Sequence, residues 1–439
     1  MPCSDLLRGS PSPAELILHR AAWILPISSP PVEDGIVAVR DGRIIEAGPA
    51  QSMRQKYVQA GGLKVRLIDH GDGAILPSLV NAHTHLELSC LAGRVQVEGD
   101  FVNWVRSLIQ ARQECSSQDT AAGIASAIRQ LWQRGTGLVG DVSNTGASIA
   151  PLRESALAGR VFLEAIGFEE QKELENQQAI QAILSSYPLS GQGIHLCLAA
   201  HAPYSVSSRY LQFLRKSPLW PDRPFSIHVA EPREEPVFLS TGEGGLRSFL
   251  IEREAWDPAW VPPQATAVQY LYQQGILRPE TICVHAVQVS DEDIELLAKT
   301  RSRVCLCPQS NHNLGVGCAP VQKFIERGIP LCLGTDSLAS NTSLCLWQEM
   351  AFLKTALPSL SGRQILRMAT LGGSLALGEQ ELGSIEAGKH ASLIFLPVTA
   401  SSGDEIEEAV VLEGCDTEVT WISQRIKREI SKGNQGIDL

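Results

Sequence analysis

The sequence has no run of ~18 or more apolar residues, so no helix is expected to cross a membrane. It has no surplus of base: 37 Lys and Arg against 48 Asp and Glu leave a formal charge of −11. Without a basic footprint nothing gathers phosphates, which argues against nucleic acid or a membrane surface as partner. The opening residues, MPCSDLLRGSPSP, show neither the charged start nor the apolar stretch of a secretory signal, so the expected compartment is the cytoplasm. A glycine-rich phosphate loop is missing, as are long repeats and low-complexity tracts. Cysteine is not scarce, but its 11 copies are odd in number and scattered, unlike the framework of a small secreted scaffold. Cys197, Cys283, Cys305 and Cys332 lie in apolar runs and read as buried thiols. Cys305-Leu306-Cys307 suggests a metal pair, but no second half lies nearby.

What is present is a chain too long for one ordinary core, with 44% hydrophobic and 19% charged residues. Residues 15–48 are short apolar runs broken by Pro and Gly, with Asp41-Gly42 as a hairpin signal. Residues 63–69 add a strand, and 391–396, 409–412 and 418–422 read as strands at the far end. The tail GNQGIDL reads as frayed. We expect 1–73 and 376–439 to build one small β-sandwich beside a central domain, 74–375. In the centre, strands at 74–79, 137–141, 161–167, 194–200, 225–230, 281–285, 303–307 and 330–334 alternate with helical stretches. Eight such strands predict a (β/α)8 barrel of the TIM type. An open doubly wound sheet is the second reading, and the missing phosphate loop counts against it.

A barrel gathers its chemistry at the C-terminal ends of its strands. There the sequence places His83 and His85 after strand one, His201 after strand four, and His228 and Glu231 at the end of strand five. His285 ends strand six and Asp336 follows strand eight. Five of the ten histidines fall on this one face. In an extended segment residues two apart share a side, so His83 and His85 can reach one metal ion, for which imidazole suits Zn, Fe, Ni or Cu. Singly, each has a plainer reading. An HxH pair can be two satisfied loop histidines, His201 can cap its HAPYS loop instead of touching substrate, and Asp336 can be a helix N-cap.

PSLVNAHTHLELS, HAPYS, IHVAE, CVHA, LCPQSN and LGTDS together resemble the amidohydrolase superfamily, in its cytosine deaminase and chlorohydrolase-type branch. That branch includes adenosylhomocysteine/methylthioadenosine, guanine and aminodeoxyfutalosine deaminases. The likeness covers most of the chain. Gly383–Lys389 resembles the element that closes the barrel, although Ala391-Ser392-Leu393 departs from the usual Ala-Asp-Leu. The resemblance implies one divalent ion, Zn²⁺ first and Fe²⁺ second, on His83, His85, His228 and Asp336. It implies Glu231 as proton shuttle and His285 as the histidine that orients the attacking hydroxide. A binuclear site would carry a lysine at the end of strand four, where this chain has Ala199-Ala200-His201.

The expected reaction is hydrolytic deamination of an aromatic amino-heterocycle, a small-molecule substrate, with a homo-oligomer left open. Triazine dechlorination, guanine deamination and a catalytically dead binding protein are the alternatives. Glu231, able to protonate a ring nitrogen, favours deamination. HTHLELS and FVNWVRSLI look most like aminodeoxyfutalosine deaminase, and HAPYS is shared with adenosylhomocysteine deaminase, which points to an adenine nucleoside. Glu87 is a candidate for sugar hydroxyls. Trp104 is a candidate for stacking on a base, or it packs its helix through Phe101, Val105 and Leu108. Arg160 and Arg233 are candidates for a distal carboxylate.

Overall fold

The computed structural model describes residues 15–59, 64–96 and 100–422. Its centre is a run of eight parallel strands in sequential order. They are Leu79–Thr84, Thr136–Ser143, Ala158–Ala165, Ile194–Ala200, Phe225–Val229, Thr281–His285, Arg303–Leu306 and Leu331–Leu333. Helices between them, such as Ser117–Gln133, Glu170–Ser186 and Asp291–Thr300, form the outer layer. A parallel bridge between Thr84 and Asp336 brings the last strand end back to the first. The inside is filled by small and branched side chains, among them Val80, Ala82, Leu138, Phe162, Ile282 and Val284. Cys197, Cys305, Cys307 and Cys332 belong to that packing. All ten described cysteines are free, and burial pushes the Cys307 thiol up to about 11. That disfavours the thiolate a CxC metal pair needs.

Strands from both ends of the chain meet in one seven-stranded sheet beside the barrel. Leu16–Ile24 pairs antiparallel with Val32–Arg40 and parallel with Val65–Asp69. At the predicted hairpin Asp41 has φ 53° and Gly42 φ 75°, a left-handed pair that matches the twist of the flanking strands. Two boundaries differ from expectation. Ala74–Pro77 is not the first barrel strand; it pairs antiparallel with Leu393–Leu396 in the small sheet, and the barrel starts at Leu79. Residues 409–412 are not a strand but part of the helix Gly403–Glu413. Ser402 caps that helix, Asp404 and Glu405 occupy its first turn, and Ile406, Val410 and Val411 are buried at helical spacing. The tail GNQGIDL lies outside the described residues. Among those described, no helix is long and apolar enough to cross a membrane.

The second barrel strand carries a buried acid, Asp141, whose Oδ1 accepts a bond from the Leu86 N–H at 2.8 Å. Burial pushes its carboxyl up to about 8, against an ordinary 3.8. Between those values the folded protein holds a proton that the unfolded chain has released. Stability from this group is therefore complete below about pH 4 and is lost as pH rises through about 8. Urea midpoints should fall between about pH 6 and pH 9, and the fall should be smaller in Asp141→Asn. Equal slopes in the two proteins would remove Asp141 as a source.

Candidate active site

The strand ends fix the first group of ligands. His83 lies within strand one and His85 just after it, so their rings emerge on one side, with Nε2 atoms 3.2 Å apart. Strand eight is locked against them. The N–H groups of Thr335 and Asp336 donate to the His83 carbonyl at 3.0 and 3.1 Å, and Thr84 Oγ1 donates to the Asp336 carbonyl at 2.9 Å. A Cβ at Gly334 would lie 2.8 Å from the Cβ and carbonyl oxygen of His83, so only glycine permits this approach. Asp336 adopts φ 57°, sparse for a residue with a side chain and in keeping with strain held at a site. Its Oδ2 accepts from Ser310 Oγ and Ser340 Oγ, both at 2.7 Å. Its Oδ1 then faces His83 Nε2 at 3.6 Å and His85 Nε2 at 3.5 Å.

The second group comes from strands five and six. His228 Nδ1 lies 3.2 Å from His285 Nε2 and 3.7 Å from Glu231 Oε2. Glu231 Oε1 is 3.5 Å from His285 Nε2. Asn311 Oδ1 sits 2.7 Å from His285 Nδ1, which places the proton on Nδ1 and leaves Nε2 turned inward as the acceptor. His285, at φ 72°, and Ala230, at φ 53°, are again left-handed. Burial lowers His83 to about 4 and His85 well below the ordinary value. Burial alone would raise Asp336, but the bond from His83 and the nearby His85 hold it well below the carboxylate range.

Two sets of donors thus converge, His83 with His85 and His228, and His228 with Glu231 and His285, each within 4.8 Å. Their chemistry fits a borderline divalent cation. One buried ring nitrogen among these donors, His228 Nε2, has no hydrogen-bond partner, a costly state for a polar atom that a bound ion would relieve.

Above the donors opens a cavity of about 550 Å³. His85, His201, His228, Glu231 and Asp336 form one end of its lining. His201 Nδ1 is 2.6 Å from Ser205 Oγ, and its ring centre is 5.3 Å from that of His228, so its loop bond and its place in the cavity coexist. Trp104 likewise both packs its helix and lines the cavity. Its Nε1 donates to the Ala339 carbonyl at 3.1 Å and its ring packs on Phe101, while the indole lines the cavity. With Val105, Leu108 and Phe249 it makes an apolar wall. Arg106, on the same helix Phe101–Glu114, pairs in bidentate fashion with Glu252 on the helix Gly245–Glu252, both contacts 2.8 Å, and ties the two walls together. Where a flat ring stacks on this wall, truncation to Trp104→Ala is expected to raise KM about tenfold or more, the worth of ~1–3 kcal/mol of aromatic stacking, with kcat less affected. Turnover identical to the parent enzyme would limit Trp104 to packing.

Three sequence candidates do not reach the cavity. Glu87 is buried, and its carboxylate is consumed by the loop after strand two: it accepts from Ser143 Oγ and from the N–H groups of Asn144, Thr145 and Ala147. Arg160 shares its facing with Phe162 and Glu164, but four residues before Glu164, about 13 Å further down the strand. It pairs there with Glu379 at 3.6 Å. Arg233 is exposed at the start of the helix Glu234–Thr241 and is not among the lining residues. The cations that do line the cavity are Arg112, Lys172 and Arg253. Sequence reasoning also passed over Ser310 and Asn311, although both stand in the LCPQSN stretch, and Glu164, an acid within an otherwise apolar run.

The chain is 28% identical to a 5-methylthioadenosine/S-adenosylhomocysteine deaminase of Moorella thermoacetica, over 87% of this chain and 85% of that protein. It is 29% identical to an aminodeoxyfutalosine deaminase of Deinococcus radiodurans, over 78% and 81%. Its fold matches Helicobacter pylori aminofutalosine deaminase in complex with methylthio-coformycin, with TM-score 0.79 and 25% identity over 93% of this chain and 98% of that one. Every donor of the site, the barrel and the strands that return from it lie within residues 74–422, the stretch that matches the amidohydrolase family, and the chain belongs to that family.

Proposed function

We propose that the protein is a metal-dependent aminohydrolase that deaminates an adenine nucleoside bearing a large 5′ group. The observation that carries this reading is the placement of Glu231 beside the imidazole and carboxylate donors, at one end of a cavity of about 550 Å³. The names of the relatives, methylthioadenosine/adenosylhomocysteine and aminodeoxyfutalosine deaminases, support the substrate class. His83, His85, His228 and Asp336 would hold a single ion, Zn²⁺ by preference and Fe²⁺ next, because imidazole with one carboxylate suits either.

When bound, the ion supplies the Lewis acidity that makes water a nucleophile near neutral pH. The rest falls to the protein. Asp336 Oδ1, left open because the two serines occupy Oδ2, accepts the proton of the attacking water. His285 Nε2, made an acceptor by Asn311, holds that water in line with the heterocycle carbon. Glu231 delivers a proton to a ring nitrogen, so that the carbon takes up the oxygen without building charge on the ring. The C–N bond then breaks: the proton held by Asp336 leaves on the amine as ammonia, and the proton of the new C–OH returns to Glu231 as the carbonyl forms. His201 and the Trp104 wall position the base.

Ammonia release from aminodeoxyfutalosine, adenosylhomocysteine, methylthioadenosine, adenosine, guanine and cytosine tests this reading. A 5′-substituted adenosine is expected to lead in kcat/KM. Guanine or cytosine ahead of every nucleoside by about tenfold or more would overturn the substrate class.

A further inference from the structure

Glu164 is the penultimate residue of the third barrel strand, Ala158–Ala165, and lines the cavity. It is 3% exposed. Its Oε2 accepts from Asn144 Nδ2 at 2.6 Å. Its Oε1 is buried and has no hydrogen-bond partner. The side chain is held from behind. Asn176 Nδ2 donates to the Glu164 carbonyl at 3.3 Å, and Asn144 stands on the loop that Glu87 fastens. Arg112 Nη1 donates to Asn144 Oδ1 at 3.0 Å, which fixes the amide so that its NH₂ points at Glu164. This cavity-lining side chain therefore carries one buried acceptor that nothing in the protein fills, and such an atom is costly unless a ligand supplies the donor.

The kind of donor is limited by what surrounds it. Arg112, 3.8 Å from Glu87 and bonded to Asn144, already places a cation beside this wall, and the sugar of a nucleoside offers neutral hydroxyls as donors. The amino group that is lost must lie at the metal donors, and the ring nitrogen at Glu231. A neutral hydroxyl fits. We propose that Glu164 is a specificity-determining residue whose Oε1 accepts a hydrogen bond from a sugar hydroxyl of the substrate, which rests on the nucleoside reading above. Glu87, the acid expected in this role from sequence, acts only by fastening the loop that carries Asn144.

The test is Glu164→Gln with methylthioadenosine and its 2′-deoxy and 3′-deoxy counterparts. Asn144 still offers NH₂, so the amide oxygen of the glutamine must face it, and the amide NH₂ must face the cavity. An acceptor becomes a donor with little change of shape. The parent enzyme should lose about 10–100-fold in kcat/KM when the bonded hydroxyl is removed, the cost of leaving a buried acceptor unpaired. The variant should lose about as much on the full nucleoside, while its penalty for the missing hydroxyl shrinks toward none and its metal content stays that of the parent. A merely structural role would lower all three substrates together and leave their ratios unchanged, which would overturn the proposal. So would a parent enzyme that turns over all three equally. If the parent deaminates none of them, the nucleoside reading itself fails, and the Glu164 proposal with it.

Discussion

Glu231→Gln is expected to lower kcat by about 10²–10⁴-fold, the range of a positioned acid–base group, while bound metal remains at the parent level. The glutamine keeps the size of the side chain and can still accept a hydrogen bond. What it cannot do is deliver a proton. Glu231 is buried, faces the cavity, and reaches toward His285 and His228 at 3.5 and 3.7 Å without occupying a metal-donor position in the scheme above. Its loss should therefore separate chemistry from metal binding. KM should change little, since the proton moves only in the transition state. A variant with full metal and kcat within about twofold of the parent would remove Glu231 from proton transfer and reopen dechlorination, where the ring nitrogen need not be protonated.

Asp336→Asn should lose most of its metal and at least about 10³-fold in kcat/KM, because one carboxylate serves both as ligand and as proton acceptor. The serines make this substitution severe. Ser310 and Ser340 both donate to Oδ2, so the amide oxygen must take that place and the amide NH₂ must face His83 and His85. A donor then points where a cation should sit. His83→Ala should lose metal as well, but without reversing the polarity of the pocket. Metal analysis with steady-state kinetics checks both, and a metal-replete Asp336→Asn enzyme would contradict the ligand assignment.

The features of the fold that recur along the chain were legible in sequence. Apolar runs of strand length marked seven of the eight barrel strands within a few residues. The first was misplaced because the apolar runs 74–77 and 79–80 are parted only by Ser78, which marks the crossing from one sheet to the other. The 409–412 run looked like a strand in isolation. Its helical period shows only when Ile406, four residues before Val410, is included. At the site, His83, His85, His228, Glu231, His285 and Asp336 stood out because charge at the end of a buried strand is expensive and needs a reason. Arg160 has the right residue type at the wrong height, which the strand register makes plain but composition does not. Glu87 and Glu164 show the opposite error. Both are buried acids near the cavity, and only the hydrogen-bond inventory separates the one whose oxygens are spent from the one with an oxygen to spare.

Product analysis in heavy-oxygen water reaches the central claim most directly. The metal-replete enzyme, given methylthioadenosine, is predicted to release one ammonia for each inosine-type product, with a solvent oxygen at the carbon that bore the amine and the glycosidic bond intact. Removal of metal should stop the reaction and its return should restore it. Release of free adenine, or deamination that persists undiminished after the metal is removed, would contradict it.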